Sequence, residues 1–264
     1  MSDSSPSPSG RALAPQRQAV ILQHVREHGV VSIAEMARVL GVSRETVRRD
    51  LKVLAEQRAV SLLHGGAARV HDEEPALSQR REENAAGKAA IGRRAAELVT
   101  DGMVVLLDSG TTALAVAHAL KERRNLTVFT PSLAIALLLC HQPGIRVHMP
   151  GGEVEPREEA IGGIDALNGV AALRVDLAFV GAGSLTADGA VTDFTRLGAE
   201  MRAAMIGTAG AAYFILDSSK FGRPTPMLIP GFAQAAGVIV DRRPAPATVQ
   251  ALDAQGLGLL VAAP

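Results

Sequence analysis

Residues 31–50 read VSIAEMARVLGVSRETVRRD, and two short helices joined at a glycine account for the pattern. Ser32 followed by Glu35 has capping-box spacing, so the first helix starts there. Ala34, Ala37, Val39 and Leu40 are expected to form its small apolar face. Gly41 suits the left-handed residue that closes a helix, and Ser43 suits the cap of the next one. Val47, Leu51 and Leu54 then repeat at helical spacing and turn one stripe inward. Arg44, Thr46, Arg48, Arg49 and Lys52 are left for the outer face. A short helix, a tight turn and a second, basic helix are the parts of a helix-turn-helix, whose second helix enters the DNA major groove. The same pattern also suits two stacked amphipathic helices with a merely solvated outer face.

Residues 15–27, with apolar Ala19, Val20, Leu22 and Val25, add a helix that can pack beneath the pair. Downstream, residues 60–63 and 67–70 flank His64-Gly65-Gly66, a turn between two short strands. The run VSRETVRRDLKVLAEQRAVSLLHGGA resembles the DeoR family of bacterial transcription regulators. Residues 46–51 stand where that family has a TIRRDL-like recognition helix, and residues 64–67 where it has an HGGA wing. The resemblance implies a winged helix-turn-helix over residues 16–70. In it Ser43, Arg44, Thr46, Arg48, Arg49 and Lys52 meet double-stranded operator DNA, and His64, Gly65 and Gly66 set the wing on the backbone.

At 264 residues the chain has room for a small and a larger domain. An apolar content of 47% with a mean hydropathy of +0.18 suits a globular protein. The longest apolar run, 133–140, falls far short of a bilayer span, so no membrane partner is expected. Residues 1–15 are Ser/Pro-rich without an apolar stretch, which reads as a disordered leader and not as a secretory signal. The single cysteine, Cys140, excludes an intrachain disulfide framework and is expected in the core. Together these features point to the cytoplasm. Net charge is zero, yet residues 11–70 carry ten basic against five acidic residues, so a basic head is balanced by an acidic body. That asymmetry suits a protein whose head alone meets phosphates. Four lysines (Lys52, Lys88, Lys121 and Lys220) stand against 23 arginines, and a retained lysine can mark a place that wants a compact ammonium.

Residues 71–79, opening with HDEEPA, read as a linker, and residues 84–99 as an Ala-rich helix. After it the pattern changes. VVLLD (104–108), LTVFT (126–130), RVHMP (146–150), DLAFV (176–180), YFILD (213–217), AGVIVD (236–241) and residues 257–262 are short apolar strands. Helical stretches at 112–123, 132–141, 165–173 and 196–207 fall between most of them. Near-continuous apolar strands alternating with helices predict an α/β domain over residues 80–264, with a mostly parallel sheet covered on both faces.

Ligands of such sheets bind beyond the carboxyl ends of the strands. The loop Asp108-Ser109-Gly110-Thr111-Thr112 follows a strand and opens a helix; its amides, glycine and hydroxyls suit either a phosphate cradle or a plain helix cap. Thr130-Pro131-Ser132 caps the next helix, Gly151-Gly152 follows a third strand, and Lys220 sits among hydroxyls in DSSKF, facing an anion or solvent. These loops also resemble the DeoR effector domain, with its D-[AS]-G-T-T, TN-S-L, GG, G-A-D-G and D-S-S-K-F segments, and Arg80, Asn84 and Lys88 match its R…N…K pattern. The resemblance runs from about residue 16 to about residue 241 and implies a fold similar to ribose-5-phosphate isomerases and CoA transferases. It further implies a phosphorylated sugar or related metabolite as effector, held by Ser109, Gly110, Thr111 and Thr112, with Lys220 and Lys88 contacting it or ordering the pocket. Asp108, Ser132, Gly151 and Gly152 complete the expected effector site.

Two positions depart from the family. Pro131 replaces an asparagine, and Ala182-Gly183-Ser184 lacks the aspartate of Ala-Asp-Gly. An aldose–ketose isomerase needs a base at that strand end, which Gly183 and Ser184 cannot supply, and Asp188 reads as part of an Asp-Gly turn. The expectation is therefore a regulator, a repressor of carbohydrate-metabolism genes, and not an enzyme; the alternative is an isomerase-like enzyme with a vestigial head. The scattered histidines show no zinc spacing, and neither a Walker loop nor a complete dinucleotide fingerprint occurs, so neither a metal nor a cofactor is expected. One small head buries too little surface for tight specific binding, which predicts a homo-oligomer, dimer or tetramer.

Overall fold

The computed structural model describes residues 13–263, apart from 29, 58, 64, 70–73 and 224. The chain divides into two compact units, Met1–His71 and Asp72–Pro264.

The first unit contains α1 (Ala14–His28), β1 (Val30–Ser32), α2 (Ile33–Leu40), α3 (Arg44–Glu56), β2 (Val60–Leu63) and β3 (Gly66–Arg69). The three strands form an antiparallel sheet in the order β1-β3-β2. Ser32 caps α2 by accepting from the Glu35 amide, and Gly41, at φ 61°, ends it. Ile21, Val25, Val31, Met36, Val47, Leu51, Leu54 and Val60 close the core. The buried stripe of α2 differs from the sequence expectation: Met36 is fully buried and Ile33, Ala37 and Leu40 pack against the core, while Ala34 and Val39 are exposed. Helical period explains this, because positions 33, 36, 37 and 40 share a face that 34 and 39 leave.

The second unit opens with α4 (Leu77–Glu82) and α5 (Ala85–Ala96). A seven-stranded sheet follows: β4 (Val104–Leu107), β5 (Leu126–Phe129), β6 (Ile145–His148), then β9 (Val175–Val180), β12 (Ala209–Leu216), β14 (Gly237–Val240) and β15 (Gly258–Val261). Between these strands lie α6 (Thr111–Ala119), α7 (Leu133–Leu139), the hairpin β7 (Glu153–Glu155) and β8 (Ala160–Gly162), and α8 (Gly163–Ala171). The short antiparallel strands β10 (Ser184–Leu185), β11 (Val191–Asp193) and β13 (Met227–Leu228), with α9 (Arg196–Thr208) and α10 (Pro246–Ala254), complete the unit.

All seven apolar runs expected as strands lie in this sheet, and every pairing within it is parallel. Along each strand alternate side chains enter opposite layers. Leu106, Ala178, Val180, Phe214 and Val238 pack with α8, α9 and α10, while Val105, Leu107, Phe179, Ile215 and Ile239 pack with α5, α6 and α7. Burial on both faces is why these strands read as continuous apolar runs. Cys140 is a correction: it is exposed, because it ends α7 on the stripe that carries exposed Leu133 and Leu137, away from buried Ile135 and Leu139.

The sheet order is β15-β14-β12-β9-β4-β5-β6. The chain winds outward from β4 through β5 to β6, then returns to β9 on the other side of β4. The carboxyl ends of β4 and β9 therefore flank the point where winding reverses, where open α/β sheets form a ligand crevice.

A basic recognition helix and a candidate anion site at the winding reversal

In the first unit the Ser43 hydroxyl accepts from the Thr46 amide at 3.1 Å and lies 2.9 Å from the Thr46 hydroxyl, so both side chains close the first turn of α3. Val47, Leu51 and Leu54 are buried beneath, and Arg44, Arg48, Arg49 and Lys52 are exposed. These four cations differ in freedom. Arg48 pairs with Glu45 at 2.5 Å, whereas Arg44, Arg49 and Lys52 form no ion pair among the described residues. Asp50 turns inward and takes a two-point bond from Arg17 of α1, at 2.8 and 3.1 Å, which ties the outer helix to the support helix. In the wing, Gly65 takes φ 88°, and a Cβ on Gly66 would stand 2.1 Å from the Val31 carbonyl oxygen, so only glycine lets β3 pair with β1. His64 lies outside the described residues.

In the second unit the loop after β4 is braced from below. Asp108 is buried and accepts from the Ser109 amide at 2.7 Å and the Gly181 amide at 2.8 Å, linking the ends of β4 and β9. Arg202 of α9 lies 3.3 Å from Asp108 and 2.6 Å from Asp193, and donates to the Gly181 carbonyl at 3.0 Å. Burial works against the Arg202 charge, but Asp193 and Asp108 outweigh it and raise its pKa. Asp108 therefore shapes the loop, with both oxygens already taken.

Above this brace α6 begins at Gly110, which takes φ 103° and caps the helix without any side-chain hydrogen bond. The hydroxyls of Ser109, Thr111 and Thr112 bond to nothing among the described residues and are partly exposed. Thr111 also lines a groove of about 490 Å³ that follows α6 past Arg81, Arg93 and His118. At α7 the same residue type behaves differently, since Ser132 is buried and accepts from the Ile135 amide at 3.3 Å. Ser132 is thus spent as a cap.

One cation reaches the open turn, and a second meets it at a shared carboxylate. The Arg80 guanidinium lies 3.6 Å from the point where a Gly110 Cβ would stand. It donates to the Pro75 carbonyl and to Glu74, both at 2.8 Å, and to Glu158 at 2.5 Å. Lys220 is buried, and the carboxylate nearest its ammonium is the same Glu74 oxygen, at 3.6 Å. Burial pushes the Lys220 pKa down; Glu74 opposes this, and Arg223 and Arg80 add to it. Burial and the Glu74 charge hold Glu158 above the usual carboxylate range, against the pull of Arg80. Lys88 has another use: its ammonium donates to the carbonyls of Arg80 at 2.5 Å and Glu83 at 2.6 Å, fastening α4 to α5. Asn84, at φ 49°, bonds Asp217 and Asp241 at 3.2 and 2.9 Å and fixes the start of α5 at the carboxyl ends of β12 and β14.

The remaining positions act at one remove. Gly152 takes φ 136°, and a Cβ there would meet the Gly162 carbonyl oxygen at 2.6 Å, so it allows the β7–β8 hairpin that carries Glu158; Gly151 meets nothing. The Pro131 carbonyl accepts from the Ile161 amide at 2.8 Å and holds the same hairpin. At Gly183 a Cβ would come within 3.0–3.1 Å of Thr225, Asp193 and Phe194, so these residues fill the space that a larger side chain would need. Asp188 bonds the Thr186 hydroxyl within a turn closed by Gly189, as the Asp-Gly reading expects. Glu74, Glu158, Asp193 and Arg202 were not singled out from sequence. Arg202 alone left a signal, a charge between Ala199 and Met205 on the buried stripe of α9. Among the described residues no group of three or more His, Cys, Asp or Glu side chains is disposed to hold a metal ion, and no helix is long and apolar enough to cross a membrane.

Comparison with known proteins agrees with this two-part organisation. Residues 17–73 match the DeoR-like helix-turn-helix domain, and residues 83–242 match the DeoR C terminal sensor domain. The HTH-type transcriptional repressor CsqR of Escherichia coli K12 is 32% identical over 86% of this chain and 88% of its own length. The glycerol-3-phosphate regulon repressor of the same organism is 31% identical over 90% and 94%, and the repressor GlcR of Bacillus subtilis 32% over 93% and 95%. Among solved structures, ribose 5-phosphate isomerase A of Methanocaldococcus jannaschii aligns over 53% of this chain and 55% of its own, at 20% identity and a TM-score of 0.38. The eIF2B delta subunit of Chaetomium thermophilum aligns over 85% and 70%, at 14% identity and a TM-score of 0.44. With a capped basic recognition helix, a wing and a sensor-type α/β unit in one chain, this protein belongs to the DeoR family of helix-turn-helix transcription regulators.

Proposed function

We propose that this regulator represses carbohydrate-metabolism genes and leaves its operator when a phosphorylated sugar or related metabolite binds the open turn of α6. One observation carries the effector half: Arg80 and Lys220 converge on a single carboxylate oxygen beside an uncapped helix start with unbonded hydroxyls. Helix amides, a permissive glycine and two fixed cations are what a phosphoryl group needs. Two relatives named as repressors, one from E. coli and one from Bacillus subtilis, the former of a glycerol-3-phosphate regulon, support the same reading.

On DNA, Arg44, Arg48, Arg49 and Lys52 supply base and phosphate contacts from α3, with Ser43 and Thr46 shaping its first turn and Gly65 and Gly66 the wing. His64 belongs to the same wing by sequence. Several heads act together on repeated half-sites in a homo-oligomer, a dimer or tetramer. The chain acts as a regulator and not as an isomerase, since Gly183 supplies no carboxylate, and that of Asp193, whose backbone lies against Gly183, is already held by Arg202. Effector and operator are linked: a ligand that prefers one arrangement of the sensor units changes operator affinity by the same coupling free energy.

The test is a mobility shift on the gene's own upstream DNA across a salt series, with and without a panel of sugar phosphates. Specific binding that one phosphate releases supports both halves; no specific binding overturns the proposal. Arg49→Ala should cost roughly 1–3 kcal/mol on operator DNA if it reads a base. An equal loss on random DNA reassigns it to the phosphates.

A further inference from the structure

From the three-way contact of Glu74, Arg80 and Lys220 we infer that Glu74 is a built-in competitor for the effector's phosphoryl group. In the ligand-free protein its carboxylate holds both cations; a phosphoryl group at the α6 turn takes them over and releases the segment leading to the DNA-binding head. This rests on the reading of the α6 turn as the effector seat.

The geometry supports displacement over simple addition. Glu74 stands five residues beyond the end of β3, at the very start of the second unit. What fastens it there is Arg80, which takes the Glu74 carboxylate and the Pro75 carbonyl together. Arg80 spends three nitrogens on Pro75, Glu74 and Glu158, and the Lys220 ammonium lies within ion-pair reach of Glu74 but beyond hydrogen-bond reach, at 3.6 Å. Two carboxylates already share these two cations. A phosphoryl dianion arriving beside Gly110 adds negative charge next to two carboxylates that already share these cations, which favours the release of one of them. Exposure does not separate the two carboxylates, at 19% for Glu74 and 30% for Glu158; backbone support does, because Glu158 is built into the hairpin held at Pro131, whereas Glu74 stands ahead of α4 on a segment that Arg80 itself fastens. Freed of Glu74, the Pro75–Arg80 tie loses its charged half. The sensor's occupancy is thereby passed to the chain segment that the head hangs on.

The test uses the full-length protein and inorganic phosphate as probe, titrated calorimetrically, with hydrogen exchange read over residues 74–80. Removing the internal competitor by Glu74→Gln should tighten phosphate binding roughly fivefold, the scale of one partly screened charge. It should also speed exchange of this segment without ligand, while phosphate speeds it in the wild type. Glu74→Asp, one methylene shorter, should fall between, and keeps the test available if the Glu74→Gln variant folds poorly. Glu159→Gln is the control for nonspecific charge removal, because Glu159 pairs with Arg81 and touches neither Arg80 nor Lys220; it should leave phosphate affinity unchanged. If phosphate binds the wild type and is lost in Lys220→Ala, but Glu74→Gln binds no tighter and exchange does not respond, the competitor is overturned while the seat survives. If phosphate does not bind, or binds regardless of Lys220→Ala, the seat fails and the competitor with it.

Discussion

Two neighbouring helices, α6 and α7, follow neighbouring strands and begin with hydroxyl-rich loops, yet they begin in opposite ways. Ser132 closes α7 from a buried position, with its hydroxyl on the Ile135 amide. At α6 the Ser109, Thr111 and Thr112 hydroxyls form no hydrogen bond among the described residues, and Gly110 leaves the first amides without a side-chain acceptor. One start is finished by the protein itself. The other stays open, with Arg80 beside it and Lys220 facing the same Glu74 carboxylate. Residue type does not separate the two; what separates them is a glycine at positive φ and the brace beneath it.

That brace gives the largest expected effect. Arg202→Met leaves Asp108 and Asp193 buried without their cation, and should cost roughly 3–5 kcal/mol in chemical denaturation. A loss under about 1 kcal/mol, the range of an exposed pair, would mean that the α6 turn holds its shape without Arg202. Next comes the cap itself: Ser132→Ala should cost about 1 kcal/mol and leave the effector response intact. The hydroxyls of α6 should show the reverse. Ser109→Ala with Thr111→Val should change stability by no more than about 0.5 kcal/mol, because no bond within the protein is lost. A stability loss matching that of Ser132→Ala would reduce α6 to another capped helix.

The subtlest handle is pH. Burial lowers the pKa of both Lys88 and Lys220. Between those lowered values and the ordinary 10.5 the unfolded chain binds more protons than the folded one, so stability rises with pH across that window. Effector affinity should move the other way, falling as Lys220 loses its proton below 10.5. Lys220→Arg should abolish that alkaline fall in a titration of effector against pH.

The same contrast marks what the sequence could tell. The seven sheet strands were legible because burial on both faces writes them as apolar runs, and the recognition helix because caps, glycine and stripe agree over residues 31–50. The small face of α2 was misplaced by a residue or two, since alanines carry little periodic signal beside Met36. At the sensor, Ser109–Thr112 and Lys220 could be named, but not which serine is a cap and which is open. Glu74 and Glu158 look like solvated charges in acidic stretches; only the fold brings Glu158 back to Arg80 across 78 residues of sequence. Lys88 shows the converse: its retention in an arginine-rich chain is real, yet its ammonium is spent on backbone carbonyls.

The most direct test is fluorescence anisotropy of an operator duplex titrated with wild type, Ser109→Ala/Thr111→Val and Ser132→Ala proteins, each with and without the sugar phosphate that releases the wild type. If the open start of α6 is the effector seat, all three bind the operator equally, release is lost in the α6 variant, and release is kept in the α7 variant. Release that survives in the α6 variant, or vanishes in a folded Ser132→Ala protein, would contradict it.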